Sequence, residues 1–191
     1  MNRKRIWFLI PTVLLPYLAL GSVLLILFCT RSAFLGAIME NVFRNNIWLL
    51  AGSLLIYCVL CLVLSILCFI FSLKNNWEAL WLAKTVMRIK LILIPAYVMI
   101  FVLGFFLAIT LFTMPFAFVL FLVDSLTLIM TGMVNIAAII LASQQKQLPI
   151  KSFLWFFLLQ FVFCADVIAS ILFYTRLKKA HAPLAVSEPA Q

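Results

Sequence analysis

Long uncharged apolar runs, separated by short basic or polar stretches, make up most of this chain. Ile6 to Thr30 carries no charge until Arg31 and matches the length, ~20 residues, that an α-helix needs to cross a bilayer core. A cleaved signal peptide has a shorter apolar region and a small-residue cleavage site, so this run reads as a retained first helix. Pro11 and Pro16 are expected to kink its first half. Ile47 to Leu73 is the second run. Leu91 to Ala142 holds Asp124 as its only charge. As one helix it would run ~78 Å, far beyond a bilayer core, so it must fold back. Thr113-Met114-Pro115 is the best break, because proline suits the first turn of a new helix and disfavours helix in the residue before it. That gives spans at residues 91–113 and 116–142. Ser152 to Tyr174 is the last. The pattern predicts an all-α, polytopic transmembrane helix bundle of about five spans (6–30, 47–73, 91–113, 116–142, 152–174), one domain over residues 1–179, and a disordered tail at 180–191.

The connecting stretches are also patterned. In Arg31 to Asn46, Phe34, Leu35, Ile38, Met39, Val42 and Phe43 share one helical face, while Glu40 and Arg44 stand i, i+4 on the other as a weak surface pair. This fits a short helix lying on the membrane surface, or an ordinary loop. In Lys74 to Lys90, Asn75 and Glu78 resemble a capping box, which predicts a helix start. Trp77, Trp81, Lys84 and Arg88 then project from nearly the same face, as an interfacial anchor or a dock for an anionic lipid or a protein. Ser143 to Lys151 is a polar loop.

Composition agrees with a lipid solvent: 68% of the 191 residues are hydrophobic and 10% charged, against about a quarter charged in soluble domains. The net charge of +9 comes from basic residues at the ends of apolar runs, which marks membrane orientation rather than nucleic-acid binding. With five spans and a cytoplasmic N-terminus, the inner side carries Arg3, Lys4, Arg5, Lys74, Lys84, Arg88, Lys90, Lys146 and Lys151. The outer side carries Arg31, Arg44, Arg176, Lys178 and Lys179. The positive-inside rule favours this orientation over its reverse, although Arg176, Lys178 and Lys179 speak against it.

Candidate chemistry rests on two carboxylates. Asp124 and Asp166 are the only charged residues placed deep in the expected spans, and intramembrane acids often mark function. Each lies ~12 Å along its helix from the same membrane side, so the two are expected to meet and share a proton. Thr127, Thr131 and Asn135 continue the Asp124 face, and Gln160 and Ser170 add polar positions on the last span. The arrangement reads either as interhelical hydrogen bonding or as a proton or cation site. Cys58, Cys61, Ser65 and Cys68 recur at three and four residues, a small-residue packing stripe rather than a redox or metal Cys-x-x-C. No disulfide, metal or cofactor is expected. The single histidine, His181, lies in the polar tail, and there is no phosphate-binding loop. Intramembrane aspartyl proteases use Tyr-Asp and Gly-x-Gly-Asp, whereas here the contexts are Leu122-Val123-Asp124 and Cys164-Ala165-Asp166.

Ile94-Pro95-Ala96-Tyr97-Val98 and the segment from Gln160 to Ile168 give Ala83 to Lys179 a resemblance to a family of uncharacterised bacterial membrane proteins. The resemblance implies a multi-spanning protein of a Gram-positive-type bacterium and carries over no functional residue. The expected function is a non-enzymatic component of the cell membrane, such as an accessory subunit to a transporter, with the lipid bilayer and another membrane protein as partners. The alternative is a small proton- or cation-coupled transporter using Asp124 and Asp166.

Overall fold

The computed structural model describes residues 9–145 and 165–181, and every regular element in them is helical. In chain order these are α1 (Ile10–Phe28), α2 (Ala33–Phe43), α3 (Ile47–Lys74), α4 (Ala79–Ala108), α5 (Met114–Gln144) and α6 (Ala165–His181). The protein is all-α. Among the described residues α1, α3, α4 and α5 are long and apolar enough to cross a membrane, so four spans stand where about five were expected. Most of the fifth expected span, and with it Gln160, lies outside the described residues. So do most of the expected tail and the basic N-terminal flank, although α6 itself runs past Lys179 to His181.

The fold-back falls where the proline placed it. Residues 109–113 form the turn, α5 starts at Met114, and Pro115 sits in its first turn, where a missing N–H costs nothing. Thr113 closes both ends. Its hydroxyl donates to the Leu107 carbonyl at the end of α4 (2.7 Å), and its own carbonyl accepts from Phe116 (3.0 Å).

The start of α4 differs from expectation. The Asn75–Glu78 box does not form, because Asn75 serves the preceding helix: its amide donates to the Phe71 carbonyl (3.0 Å) at the end of α3. Asn76 takes a left-handed φ of 43° to reverse the chain, and α4 begins at Ala79 behind Glu78, whose carbonyl accepts from Leu82. Lys84, Arg88 and Lys90 are therefore inside one continuous helix of 30 residues, ~45 Å long, rather than on a separate segment before a span.

The stretch after α1 is a helix and not a loop. Ser32 caps α2 by accepting from the Leu35 N–H (3.5 Å). Left-handed Arg44 and Asn45 end it, with the Asn45 N–H closing on the Met39 carbonyl (3.0 Å). Only part of the apolar face packs. Met39 is buried with Leu25 and Leu50, and Leu35, Ile38 and Phe43 lean on them, while Phe34 and Val42 stay exposed. Gly36 is needed for this approach, since a Cβ there would lie 2.9 Å from the Cys29 carbonyl oxygen. Glu40 and Arg44 form no ion pair, because the left-handed backbone of Arg44 takes it out of the helical i, i+4 register.

Two compact units divide the chain. Among the described residues one takes Ser65–Ile92, 128–145 and 165–181; the other takes Leu9–Leu64 and Leu93–Thr127. In the second unit the Tyr57 hydroxyl donates to the Pro11 carbonyl (3.0 Å), fixing α3 to the start of α1. Pro16 lies inside α1 with no N–H to donate, and α1 nevertheless continues to Phe28.

Candidate functional site

Two faces of α4 treat its cations differently. Lys84 and Arg88 are one turn apart and exposed. Lys90 is two residues beyond Arg88, about 200° around the helix, and falls on the stripe of Leu82, Val86 and Leu93. That stripe is the buried face. Lys90 has 0% of its surface exposed and is among the largest fully enclosed side chains of the described residues. An ammonium withdrawn this far needs a counter-charge, and Asp166 of α6, 1% exposed, supplies it: Lys90 Nζ donates to Asp166 Oδ1. Asp166 Oδ2 is also buried and accepts no hydrogen bond among the described residues.

A second link ties α6 to α5 in the same unit. The Asn135 amide donates to Ser170 Oγ (3.0 Å), and the Ser170 hydroxyl donates to the Asp166 carbonyl one turn back (2.8 Å). Asn135 Oδ1 is buried without a hydrogen bond among the described residues. Three helices thus meet at one polar locus made by Lys90, Asp166, Asn135 and Ser170.

The expected polar face of α5 is real and inward. Asp124, Thr127, Thr131 and Asn135 are all buried. The Thr127 hydroxyl donates to the Val123 carbonyl (2.8 Å), and that of Thr131 to Leu128 (3.2 Å), the back-bonding by which hydroxyls are accommodated in apolar helices. Asp124 belongs to the second unit and Asp166 to the first, so each is described in its own surroundings. Asp124 Oδ1 is buried and accepts no hydrogen bond among the described residues. The expectation that Asp124 and Asp166 are the only charges deep in the helices is corrected by Lys90.

Trp77 and Trp81 meet edge to face, with centroids 5.8 Å apart at 82°, and the Trp77 carbonyl accepts from the Gln145 amide (3.3 Å) at the end of α5. Lys84 and Arg88 extend from the same end of the unit. Cys61, Ser65, Cys68 and Ser72 form a buried stripe of small side chains along α3, and Cys58 is half-buried beside it. Cys29, Cys58, Cys61 and Cys68 are all free thiols.

A model of the family of unknown function DUF6652 matches residues 7–179. The chain belongs to that family. The DUF6652 match takes in α1 to α5 and α6 as far as Lys179, so the polar locus lies wholly inside the family's extent. No curated protein and no solved structure matches the chain.

Proposed function

We propose that this chain is a non-enzymatic component of the cell membrane of a Gram-positive-type bacterium, with a cytoplasmic N-terminus, and that it works as a small proton-coupled carrier. The observation that supports this reading is the enclosed Lys90–Asp166 pair with a second carboxylate oxygen left over. As glue, such a pair does no better than apolar side chains: replacing a buried ion pair by packed hydrophobic residues is often neutral or stabilising by about 1–4 kcal/mol. Losing one partner costs about 3–5 kcal/mol, because the other charge stays buried alone. A proton added to Asp166 Oδ2 has that effect. It takes the pair from net zero to one positive charge and removes the Asp166 counter-charge from the Lys90 ammonium. The hold of α4 on α6 then weakens until the proton departs, which couples protonation to helix movement. Asp124 is a second buried carboxyl able to accept a proton, in the other unit.

The test is proton movement by the purified protein in liposomes carrying an internal pH dye. Wild type should collapse an imposed pH gradient faster than empty vesicles, and Asp166→Asn should not. Equal rates for wild type and empty vesicles in the presence of candidate ions would contradict the reading. A second reading, an accessory subunit of another membrane protein, is favoured by the exposed apolar side of α3, where Leu55, Ile56 and Val59 are unpacked. Purification in mild detergent separates the two, since a subunit would bring a stoichiometric partner.

A further inference from the structure

The direction of α6 can be read from its partners within one unit. Gln145, at the end of α5, is bonded to Trp77, just before α4, so the end of α5 and the start of α4 share a level. From there Lys90 lies ~16 Å up α4 from Ala79, and Asn135 ~15 Å back up α5 from Gln145. Asp166 joins Lys90 and Ser170 joins Asn135, so α6 meets both helices at that height. Beyond it, Phe173 and Leu177 are fully enclosed. Their unit contains α4 only as far as Ile92, the part below that height, and α5 from Leu128 down, the larger part of it below. Those parts are also buried on more than one side: Leu82 and Ala83 on α4, Ala137 and Ala138 on α5. In contrast, α4 beyond Lys90 buries a single stripe. α6 therefore descends, and Leu177, ~16 Å past Asp166, returns to the level of Ala79.

The chain thus brings Lys178 and Lys179 to the end where α3 finishes with Lys74 and α4 starts with its Trp pair. Lys74, Lys178 and Lys179 are exposed there, Lys84 and Arg88 follow on the exposed face of α4 ~8 and ~14 Å from Ala79, and Glu78 is the only acid on the intervening turn. We propose that Lys74, Lys84 and Arg88 together with the C-terminal Lys178 and Lys179 form one Trp-edged basic surface on the cytoplasmic face, and that it docks the headgroups of anionic phospholipids. Charge complementarity selects the occupant: clustered cations beside aromatic rings at the end of apolar helices meet the phosphate layer of an anionic leaflet. The assignment also removes the objection raised by the C-terminal cations. They join the positive side instead of opposing it, and the four crossings among the described residues return the chain to the side from which α1 starts.

The experiment uses the full-length protein in phosphatidylcholine bilayers with trace spin-labelled phosphatidylglycerol or spin-labelled phosphatidylcholine. The expected result is a several-fold preference for phosphatidylglycerol in the motionally restricted fraction, falling as salt is raised. The double variants K84Q/R88Q and K178Q/K179Q should each lower that preference about twofold, and their combination should abolish it. No preference in wild type would overturn the proposal. So would loss on K84Q/R88Q with no change on K178Q/K179Q, which would separate the two segments. A green fluorescent protein fused after Gln191 reports the side independently of any substitution. Fluorescence places the C-terminus in the cytoplasm as proposed, and a dark, externally protease-sensitive fusion overturns it.

Discussion

Lys90 on α4 and Asp166 on α6 are 76 residues apart in sequence and form an ion pair with no exposed surface on the lysine. The pair is an electrostatic constraint on how α6 sits in its unit. A single charge left behind is far costlier than the pair is favourable.

Removing the charges singly and together should show this asymmetry. Lys90→Met and Asp166→Leu alone are each expected to lower unfolding stability in detergent micelles by about 3–5 kcal/mol. The double variant should recover most of the loss. A double variant as unstable as the two losses added would mean that the charges do not interact.

The α5–α6 link is a weaker element. Asn135→Ala removes the donor to Ser170 and should cost about 0.6 kcal/mol, with ~1.7 as the upper end for interhelical hydrogen bonds in membrane proteins. Ser170→Ala should behave similarly, and the double variant should cost little more than either alone. Additive losses in a double-mutant cycle would show that the bond contributes nothing.

Gly36→Ala should be damaging out of proportion to its size. The new methyl meets backbone, the Cys29 carbonyl oxygen at 2.9 Å, and not a side chain that can turn away. The expected cost is about 1–3 kcal/mol. Faster proteolysis around α2 than in wild type is the readout, and unchanged cleavage would count against the close approach.

Tyr57→Phe keeps the ring and loses the hydroxyl that bonds the Pro11 carbonyl. A thermal-unfolding loss of about 0.5–1.5 kcal/mol is expected. Greater stability than wild type would show that the bond does not form in the membrane protein.

Much of this architecture was legible from residue order. Pro115 fixes the fold-back, because proline both starts α5 and discourages helix before it. The period of Asp124, Thr127, Thr131 and Asn135 identifies the inward face of α5, since an apolar helix has nowhere else to put polar groups. Lys90 was missed because it borders an apolar run next to Lys84 and Arg88, where a lysine reads as a headgroup anchor. Its signal was angular: it shares a face with Leu82, Val86 and Leu93, away from the other two cations. Asn75 was misassigned because the residues that cap a helix start also close the helix before it, and spacing alone does not say which. The direction of α6 depends on contacts with Lys90 and Asn135, which no local pattern encodes.

Under the proposed function Asp166 takes up and releases a proton, and its pair with Lys90 loosens while the proton is bound. Infrared difference spectroscopy of the protein in lipid, recorded between neutral and acidic pH, reads this directly as the carbonyl stretch of a newly protonated carboxylic acid. Such a band is expected in wild type and, shifted or weakened, in Asp124→Asn, with a clear loss of intensity in Asp166→Asn. A wild-type difference spectrum that is unchanged by Asp166→Asn would contradict it.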